Sequence, residues 1–490
     1  MRKKLRSFTY YPTLLIIFII LSLWSRNFDR FKFYDILFPL FISISLFNLL
    51  FFILKRFFEN SHIRAVVLSF VIFWFFGYTF IISLMERFII SQFISIPIWT
   101  ISIILICSFI ITKLSQKSFN FSKVTLVANI FISTLLSIVC INLVLFESNV
   151  YKLIQKDDWV PLSTNDKEVK TFPKGSLPDI YYIILDAHVG SDVLKKSWDY
   201  DEHDFVNWLI KKGFYIDPNS KSNYSCTVLS ILSSLNMSYL DDFKKLPRYD
   251  NRDQTSFYYY IKNNKVKKVL ESNGYSFIDL AWANWAMDNK IKIIDFTEFG
   301  FLTSLLNRSV ISVIMHKIVL PLSKRYEILN KIEKLENTIK IKGPKFIYAH
   351  FMIPHEEFVF DQNGNSVSIF KNRKNLKNYY LEQLIYTDKI IKKAIDRIMT
   401  ESDIKPIIII QGDHGWSGIE GESHIKTNMS ILNAYYLPNK SSNILYKGIT
   451  PVNSFRIIFN TYFGMNLNLF EDKSYYSPFP DNYLNYVEVK

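Results

Sequence analysis

The chain has 490 residues, of which 49% are hydrophobic and 17% aromatic, and its mean hydropathy is +0.11. This composition is too apolar for an ordinary soluble enzyme and too charged for a bundle made only of membrane helices, so a two-part protein is expected. The net charge of +14 does not predict nucleic-acid binding, because the sequence has no run of about five basic residues.

The first 147 residues contain five apolar stretches of roughly the length that crosses a membrane. They lie near Tyr11–Ser25, Ile36–Leu54, Ile63–Leu84, Ile89–Thr112 and Val124–Phe146. Membrane helices are expected rather than buried core helices, because the apolar character continues all round each stretch. The first stretch is interpreted as a retained anchor, since no small-residue cleavage site of a signal peptide follows it.

The basic residues of the short loops predict an N-terminus inside the cytoplasm, with ten on the inner side and four on the outer side. Five spans then place everything after Phe146 outside the cytoplasm, in a periplasm or at the cell exterior. We therefore expect a five-helix transmembrane domain at 1–147 in the cytoplasmic membrane, a linker at 148–176 and a polar domain at 177–490.

Three segments of the polar domain are predicted to be buried strands: Asp179–Leu185, Lys345–Met352 and Pro406–Ile410. Helical patterns lie between them, at Asp204–Lys212, Tyr258–Glu271 and Tyr379–Thr400. This alternation predicts an α/β domain with a mainly parallel central sheet covered on both faces. The apolar stretch Leu302–Leu322 fits either a helix that touches the membrane or, as we favour, an ordinary core helix.

Candidate chemistry follows each predicted strand, at the end where parallel sheets present their ligand-binding residues. Asp186 follows the first strand, His350 and His355 accompany the second, and Asp413 and His414 follow the third. Carboxylate oxygens beside imidazole nitrogens are suitable ligands for zinc or manganese. The alternative is a simple turn with solvated side chains, and position alone does not separate the two.

A fourth candidate is Thr227, which precedes a helical stripe of apolar residues at 228, 229, 231, 232 and 235. A residue at a helix start lies beside free amide N–H groups and the positive end of the helix dipole, both of which favour an anion. The alternative role is helix capping, which is common for threonine.

Taken together, the motifs of the polar half resemble those of the sulfatase-type branch of the alkaline phosphatase superfamily. They are Asp186 at a strand end, Thr227-x-x-Ser230 at a helix start, His350-x-x-x-Pro354-His355, and Gly412-Asp413-His414-Gly415. The apolar half before them is similar to that of lipoteichoic acid synthases and phosphoethanolamine transferases. The resemblance covers roughly residues 177–465 and implies an alkaline phosphatase/sulfatase-like catalytic domain.

The resemblance also implies roles for single residues. Asp186, Thr227, Asp413 and His414 would hold one divalent metal ion, which could be zinc, manganese or calcium. Thr227 would be the nucleophile, because metal coordination activates a hydroxyl, and His355 would contact the transferred group. His350, as a substrate-binding or a core residue, and Trp416, in the loop after His414, complete the expected site.

His188 is the remaining candidate for substrate contact, because it follows Asp186 by two residues. Two-metal phosphatases need further Asp and His ligands, and His188, His203 and His424 are available, but their spacing fits no such site and for each we favour a surface position without a function. The sequence departs from classical sulfatases at Cys226, because the Cys-x-Pro-x-Arg pattern that yields formylglycine is absent. Cys226 is expected to be a packing residue.

Three functions fit these observations. The first is transfer of a phosphoethanolamine- or phosphoglycerol-type group from a membrane lipid donor to an envelope glycan or lipid, through a phospho-threonine intermediate. The second is hydrolysis of sulfate or phosphate esters at the same site. The third is a polysaccharide-assembly protein without catalysis, which the presence of all four implied metal ligands disfavours.

Overall fold

The computed structural model describes residues 8–27, 31–79, 92–114, 121–155, 177–245, 254–281, 300–312, 315, 320–367, 375–416, 418, 423–438, 444–477 and 483–489. Tertiary contacts divide the chain into two compact units. The first consists of Met1–Asp157 and Ile294–Leu320, and the second of Asp158–Ile293 and Pro321–Lys490. The expected linker at 148–176 lies mostly outside the described residues.

In chain order the helices are α1 (Tyr11–Ser25), α2 (Phe33–Ile53), α3 (Ser61–Phe76), α4 (Gln92–Leu114), α5 (Phe121–Gln155), α6 (Ser191–Trp198), α7 (His203–Lys211), α8 (Thr227–Asn236), α9 (Thr255–Lys262), α10 (Lys265–Ser272), α11 (Gly300–Leu306), α12 (Leu320–Asn337), α13 (Leu376–Glu401), α14 (Ser423–Met429) and α15 (Pro451–Tyr462). The strands are β1 (Ile180–Leu185), β2 (Tyr215–Ile216), β3 (Ser276–Leu280), β4 (Lys345–Phe351), β5 (Ile407–Gln411), β6 (Asn433–Tyr436), β7 (Ser474–Tyr476) and β8 (Val487–Val489).

The first unit is made of apolar helices. Among the described residues, Phe33–Arg56 and Phe121–Leu145 are long and apolar enough to cross a membrane, and only 17% of each apolar window is buried. The other apolar stretches found in this unit are shorter: Tyr11–Ser25, Ser61–Phe76 and, within α4, Pro97–Thr112. The structure therefore contains two candidate spans and does not confirm the predicted five-helix bundle; residues 80–91, which belong to two of the predicted spans, lie outside the described part of the chain.

The short helix α11 belongs to this first unit. Its Phe301 and Leu305 are buried in one hydrophobic cluster with residues of α1, α2 and α3, and the Phe301 ring lies 5.4 Å from that of Phe31 in an edge-to-face arrangement. The preferred prediction for Leu302–Leu322, a core helix of the polar domain, is therefore wrong for its described N-terminal part. Apolar periodicity reports that a face is buried but does not say against which unit.

The second unit contains a six-stranded sheet in the order β2-β6-β5-β1-β4-β3. Strand β1 pairs in parallel with both β4 and β5, and β3 pairs in parallel with β4. Strand β6 is antiparallel to β5 at one side. The prediction of a mainly parallel sheet is confirmed, and β1, β4 and β5 are fully buried, as expected for a sheet with both faces covered.

Helices cover the sheet on both faces. On one face, buried residues of α12 and α13, such as Ile332 and Ile395, join the core formed by alternate residues of β1, β4 and β5. On the other, Phe455 of α15 packs edge-to-face on Tyr182 of β1 and Phe346 of β4. This packing fixes the carboxyl ends of the central strands at one edge of the domain.

The structure differs from the prediction in one helical segment and in the shorter strands of the sheet. The helical pattern Tyr258–Glu271 forms two helices, α9 and α10, because Asn264 leaves the helical conformation and its side chain caps α10 by accepting from the Lys267 N–H. Strands β2, β3 and β6 of the six-stranded sheet were not predicted. Strand β3 begins with Ser276 and carries Asp279, β6 has four residues and β2 has two, so none gives a clear strand pattern.

Candidate metal-dependent active site

The strand register brings four candidate residues to one edge of the sheet. Ile184, at the end of β1, is opposite His350 of β4 on one side and Gln411 of β5 on the other. Asp186 therefore lies beside His350, and the Asp413–His414 pair follows β5 at the same level. Their side chains are all buried, with Asp186 and His350 completely inaccessible.

The turn that carries Asp413 and His414 depends on glycine. At Gly415 a Cβ atom would lie 1.9 Å from the carbonyl oxygen of Thr427, so no other residue fits there without a shift of the backbone. Asp413 is also held, since its Oδ1 accepts the N–H of Ala187 at 3.1 Å. This hydrogen bond holds the turn after β1 against the turn after β5.

Thr227 is the first residue of α8, and Cys226 occupies the capping position. The Thr227 Oγ1 atom lies 3.2 Å from Nε2 of His414, which is 187 positions away in the chain. The hydroxyl is thus engaged by the metal-ligand candidate and not by its own helix, which excludes simple capping as its role. It is partly exposed and lies at the positive end of the helix dipole.

The nitrogen that faces Thr227 carries a lone pair in neutral His414. Nδ1 of His414 lies 2.7 Å from the carbonyl oxygen of Gly415, and because a carbonyl only accepts, Nδ1 must carry the proton. Nε2 is then free to accept a proton or to bind a cation, and it also lies 3.6 Å from Asp413 Oδ2 and 3.8 Å from Asp186 Oδ1.

These side chains fit a divalent metal ion. Asp186 Oδ1 and Asp413 Oδ2 are buried and form no hydrogen bond with any residue in the described part of the chain, which is costly for ionised carboxylates unless a cation is close. Nε2 of His350 lies 3.2 Å from Asp186 Oδ2, and one ligand atom from each of Asp186, His350 and Asp413 lies within 4.8 Å of the other two. Neighbouring ligand atoms around a tetrahedral ion with bonds of about 2.0–2.2 Å are separated by about 3.3–3.6 Å.

The electrostatics favour ionised carboxylates at this site. Burial opposes ionisation of Asp186, but three nearby histidines, with His355 the strongest, outweigh it and hold the pKa of Asp186 below its ordinary value. Burial likewise opposes the charged form of His414, yet Asp413 and Asp186 raise its pKa above the ordinary value. The anionic field that does so would equally attract a metal cation.

His355 is more exposed than the other two histidines of the cluster, His350 and His414. Its ring centroid lies 6.2 Å from that of His414, and it is partly exposed. Its backbone is fixed, because its N–H donates to the Asp186 carbonyl at 3.0 Å and its carbonyl accepts from the Gln383 side chain at 3.0 Å and from Lys324 at 3.3 Å. The ring is therefore held beside His414, whose Nε2 contacts the Thr227 hydroxyl.

Two predicted substrate contacts have other surroundings. Trp416 is 3% exposed and lies in an aromatic cluster, stacked on Tyr380 at 4.8 Å and edge-on to Trp198 at 5.3 Å. His188 is completely buried, with Nδ1 3.1 Å from the Val189 carbonyl and Nε2 3.1 Å from Asp388. Because His188 is completely buried, the favoured surface position is wrong, and the structure gives no support to the predicted substrate contact.

Substitution of Trp416 with alanine is expected to destabilise the fold rather than to weaken substrate binding. The loss of its packing in the aromatic cluster should lower the free energy of unfolding by about 3–5 kcal/mol. Thermal unfolding of the purified protein measures this, with Trp416→Phe as the control that keeps most of the stacking. A raised KM without any loss of stability would contradict the assignment.

The contact between His350 and Asp186 was not predicted from the sequence. A histidine inside a buried apolar strand is a detectable signal, since burial of an imidazole requires a polar partner. The sequence does not show which residue is that partner, because β1 and β4 are separated by more than 150 residues and only their parallel pairing brings them together.

The Sulfatase family model matches residues 248–457. This span contains His350, His355, Asp413 and His414 but begins after Asp186 and Thr227. No protein of curated function matches the sequence significantly.

Several solved structures are similar. The C-terminal periplasmic domain of EcEptC from Escherichia coli, in complex with zinc, has 11% identity and a TM-score of 0.43 over 67% of this chain and 96% of that one. The phosphoethanolamine transferase EptA from Neisseria meningitidis, an integral membrane protein, has 13% identity and a TM-score of 0.41 over 92% and 94%. A putative sulfatase, yidJ, from Bacteroides fragilis has 14% identity and a TM-score of 0.38 over 60% and 75%. At these values none of them transfers a substrate or a residue role.

Proposed function

We propose that this chain, which carries a sulfatase-family enzyme domain, is a membrane-anchored, metal-dependent transferase. It would move a phospho-alcohol group, of the phosphoethanolamine or phosphoglycerol type, from a lipid donor to a hydroxyl of an envelope glycan or lipid. The observation that carries the proposal is the 3.2 Å contact between the Thr227 hydroxyl and Nε2 of His414, beside the buried carboxylates Asp186 and Asp413. A hydroxyl in this position is a suitable nucleophile.

Asp186, Asp413, His414 and the Thr227 oxygen are proposed to hold one divalent ion, with His350 as a positioning residue that fixes Asp186. A bound ion would lower the pKa of the Thr227 hydroxyl and offset negative charge on the phosphoryl oxygens. The presence of imidazole nitrogen in the donor set favours zinc or manganese over calcium, which prefers six to eight oxygen ligands.

In the first half-reaction, the deprotonated Thr227 oxygen forms a bond to phosphorus while the phosphorus–oxygen bond to the lipid alcohol breaks. His355 supplies a proton to the departing alcohol oxygen, so that the lipid leaves as a neutral alcohol. The free N–H groups at the start of α8 face the phosphoryl oxygens. In the second half-reaction, the acceptor hydroxyl gives its proton to His355 and its oxygen displaces Thr227 from phosphorus.

The membrane anchor supports a lipid donor. The two candidate spans, Phe33–Arg56 and Phe121–Leu145, expose most of their apolar surface. We propose that five spans cross the cytoplasmic membrane with the N-terminus inside, as the loop charges predict. The catalytic domain would then face the periplasm or the cell exterior, where lipid head groups and envelope acceptors are within reach.

Hydrolysis of sulfate or phosphate esters is the second candidate, and the Sulfatase family match favours it. Water would then replace the acceptor alcohol. The usual sulfatase nucleophile is not available, because Cys226 lacks its maturation motif and is buried. Burial raises the pKa of the Cys226 thiol to about 12, which keeps it protonated.

Replacement of Cys226 with alanine is therefore expected to leave turnover within about threefold of the wild type, because the thiol only packs against its neighbours. Initial rates with a lipid donor or a model ester measure this. A loss of activity larger than about a hundredfold, in a variant with unchanged thermal unfolding, would show that the thiol takes part in the chemistry.

The proposal is tested by incubation of the purified protein with lipids that carry an isotope-labelled head group, followed by mass spectrometry of the peptide that contains Thr227. A labelled phospho-alcohol adduct on Thr227, discharged when an acceptor alcohol is added, is the expected result. Release of free phosphate or sulfate from model esters, without an adduct and without transfer to an alcohol, would instead establish the hydrolase.

A further inference from the structure

A second cluster of buried ionisable groups lies beside the site and has no role in the proposed reaction. His188 follows β1, Glu202 precedes α7 and Asp388 belongs to α13. Nε2 of His188 lies 3.1 Å from Asp388 Oδ1 and 3.6 Å from Glu202 Oε1. The three residues are 0%, 3% and 5% exposed, so water does not solvate their charges.

The tautomer of His188 matches that of His414. Its Nδ1 lies 3.1 Å from the carbonyl oxygen of Val189, which can only accept, so Nδ1 carries a proton. In the neutral ring, Nε2 then directs its lone pair at two carboxylates. Either a proton on Nε2 or a metal cation can occupy the space between them, and metal-bound histidines have this arrangement, with the distal N–H held by a backbone carbonyl.

Glu202 gives an independent geometric indication of a cation site. Both of its carboxylate oxygens are buried and have no hydrogen-bond partner among the described residues. Asp388 is a second buried carboxylate in the same cluster, and both carboxylates lie close to Nε2 of His188. A cation between the two carboxylates would offset their mutual repulsion and would give the Glu202 oxygens a partner.

The distances are close to those of coordination. Around a tetrahedral zinc ion with bonds of about 2.0–2.2 Å, neighbouring ligand atoms are separated by about 3.3–3.6 Å. From Nε2 of His188, the 3.6 Å distance to Glu202 lies within this range and the 3.1 Å distance to Asp388 is slightly shorter. All three ligand atoms lie within 4.8 Å of one another. A surface cavity lined by four carboxylates, Asp201, Glu202, Asp204 and Asp388, and by two lysines, Lys389 and Lys392, reaches the two carboxylate ligands.

We propose that His188, Glu202 and Asp388 bind a second divalent cation, of the zinc or manganese type, apart from the ion at Thr227. This cation joins the turn after β1, the segment before α7 and helix α13. Because β1 also leads to Asp186, the second ion would stiffen the strand end that supplies the first site. The inference does not depend on which reaction Thr227 performs.

The test is metal analysis of the purified full-length protein after removal of metals with a chelator and dialysis against zinc. About two zinc ions per chain are expected for the wild type and about one for Glu202→Gln and for Asp388→Asn, since each substitution removes an anionic ligand without changing side-chain size. The variant His203→Ala is the control for zinc held loosely at the surface, because His203 is 61% exposed beside Asp201 and should leave the zinc content unchanged.

Thermal unfolding distinguishes the loss of a site from a folding defect. Without metal, Glu202→Gln should unfold at or above the wild-type temperature, because the carboxylate repulsion is gone, and the additional stabilisation that zinc gives the wild type should be smaller. The second site would be overturned if wild-type protein held one zinc ion per chain, if both Glu202→Gln and Asp388→Asn kept that ion, and if Asp413→Asn lost it. This result would leave the proposed function intact.

Discussion

Thr227→Val should abolish the labelled adduct and reduce the transfer rate by at least about a thousandfold, because valine keeps the shape of threonine but has no oxygen to bond to phosphorus. The partly exposed position of Thr227 and its contact with His414 make a large structural effect unexpected. Mass spectrometry of the Thr227 peptide and initial rates with a labelled lipid donor measure the two quantities.

Thr227→Ser is the matched control, because it retains the hydroxyl at the first position of α8. We expect it to keep the adduct and to lose no more than about tenfold in rate. Full transfer by Thr227→Val would refute Thr227 as the nucleophile and would leave the remaining cluster as a site that activates water or the acceptor directly.

Asp413→Asn should remove the metal ion from the first site and lower turnover by at least about a thousandfold, because the neutral amide is a poor ligand and no longer balances a cation. The amide oxygen can still accept the Ala187 N–H that Asp413 Oδ1 accepts, so the turn should persist. Metal content by elemental analysis and initial rates check the prediction together.

Asp403→Asn is the control for this substitution, since Asp403 is exposed and lies before β5 whereas Asp413 follows that strand. Its metal content and rate should equal those of the wild type. In the absence of metal, Asp413→Asn should unfold no earlier than the wild type, because it relieves the repulsion with Asp186. Unchanged metal content with full activity would exclude Asp413 as a ligand.

The strands and the residues at their ends were predictable because the causes are local. Four isoleucines before Gln411 favour a buried strand whatever surrounds them, and parallel strands expose their carboxyl ends at one edge. The helix start at Thr227 was likewise predictable, since a stripe of apolar residues marks the helix and its first residue follows.

Residues with several possible roles were not predictable. Trp416 follows a site residue directly, yet its ring turns into the aromatic cluster with Tyr380 and Trp198. The packing of α11 in the first unit was not predictable for the same reason, because an apolar helix face can pack against any apolar surface. In each case the sequence reports that a side chain is buried but not what it is buried against.

By itself the sequence determined the two-part composition, the central strands, and the set of Asp186, Thr227, Asp413 and His414 at element ends. Only the tertiary structure decided that Thr227 Oγ1 meets His414, that His350 lies against Asp186, and that His188 joins Glu202 and Asp388. The physical reason is the distance along the chain over which each kind of interaction acts. Backbone propensity and hydrophobic periodicity act over a few neighbouring residues, whereas the contacts of the site join residues as far apart as Ala187 and Asp413, 226 positions, and exist only once the sheet is paired.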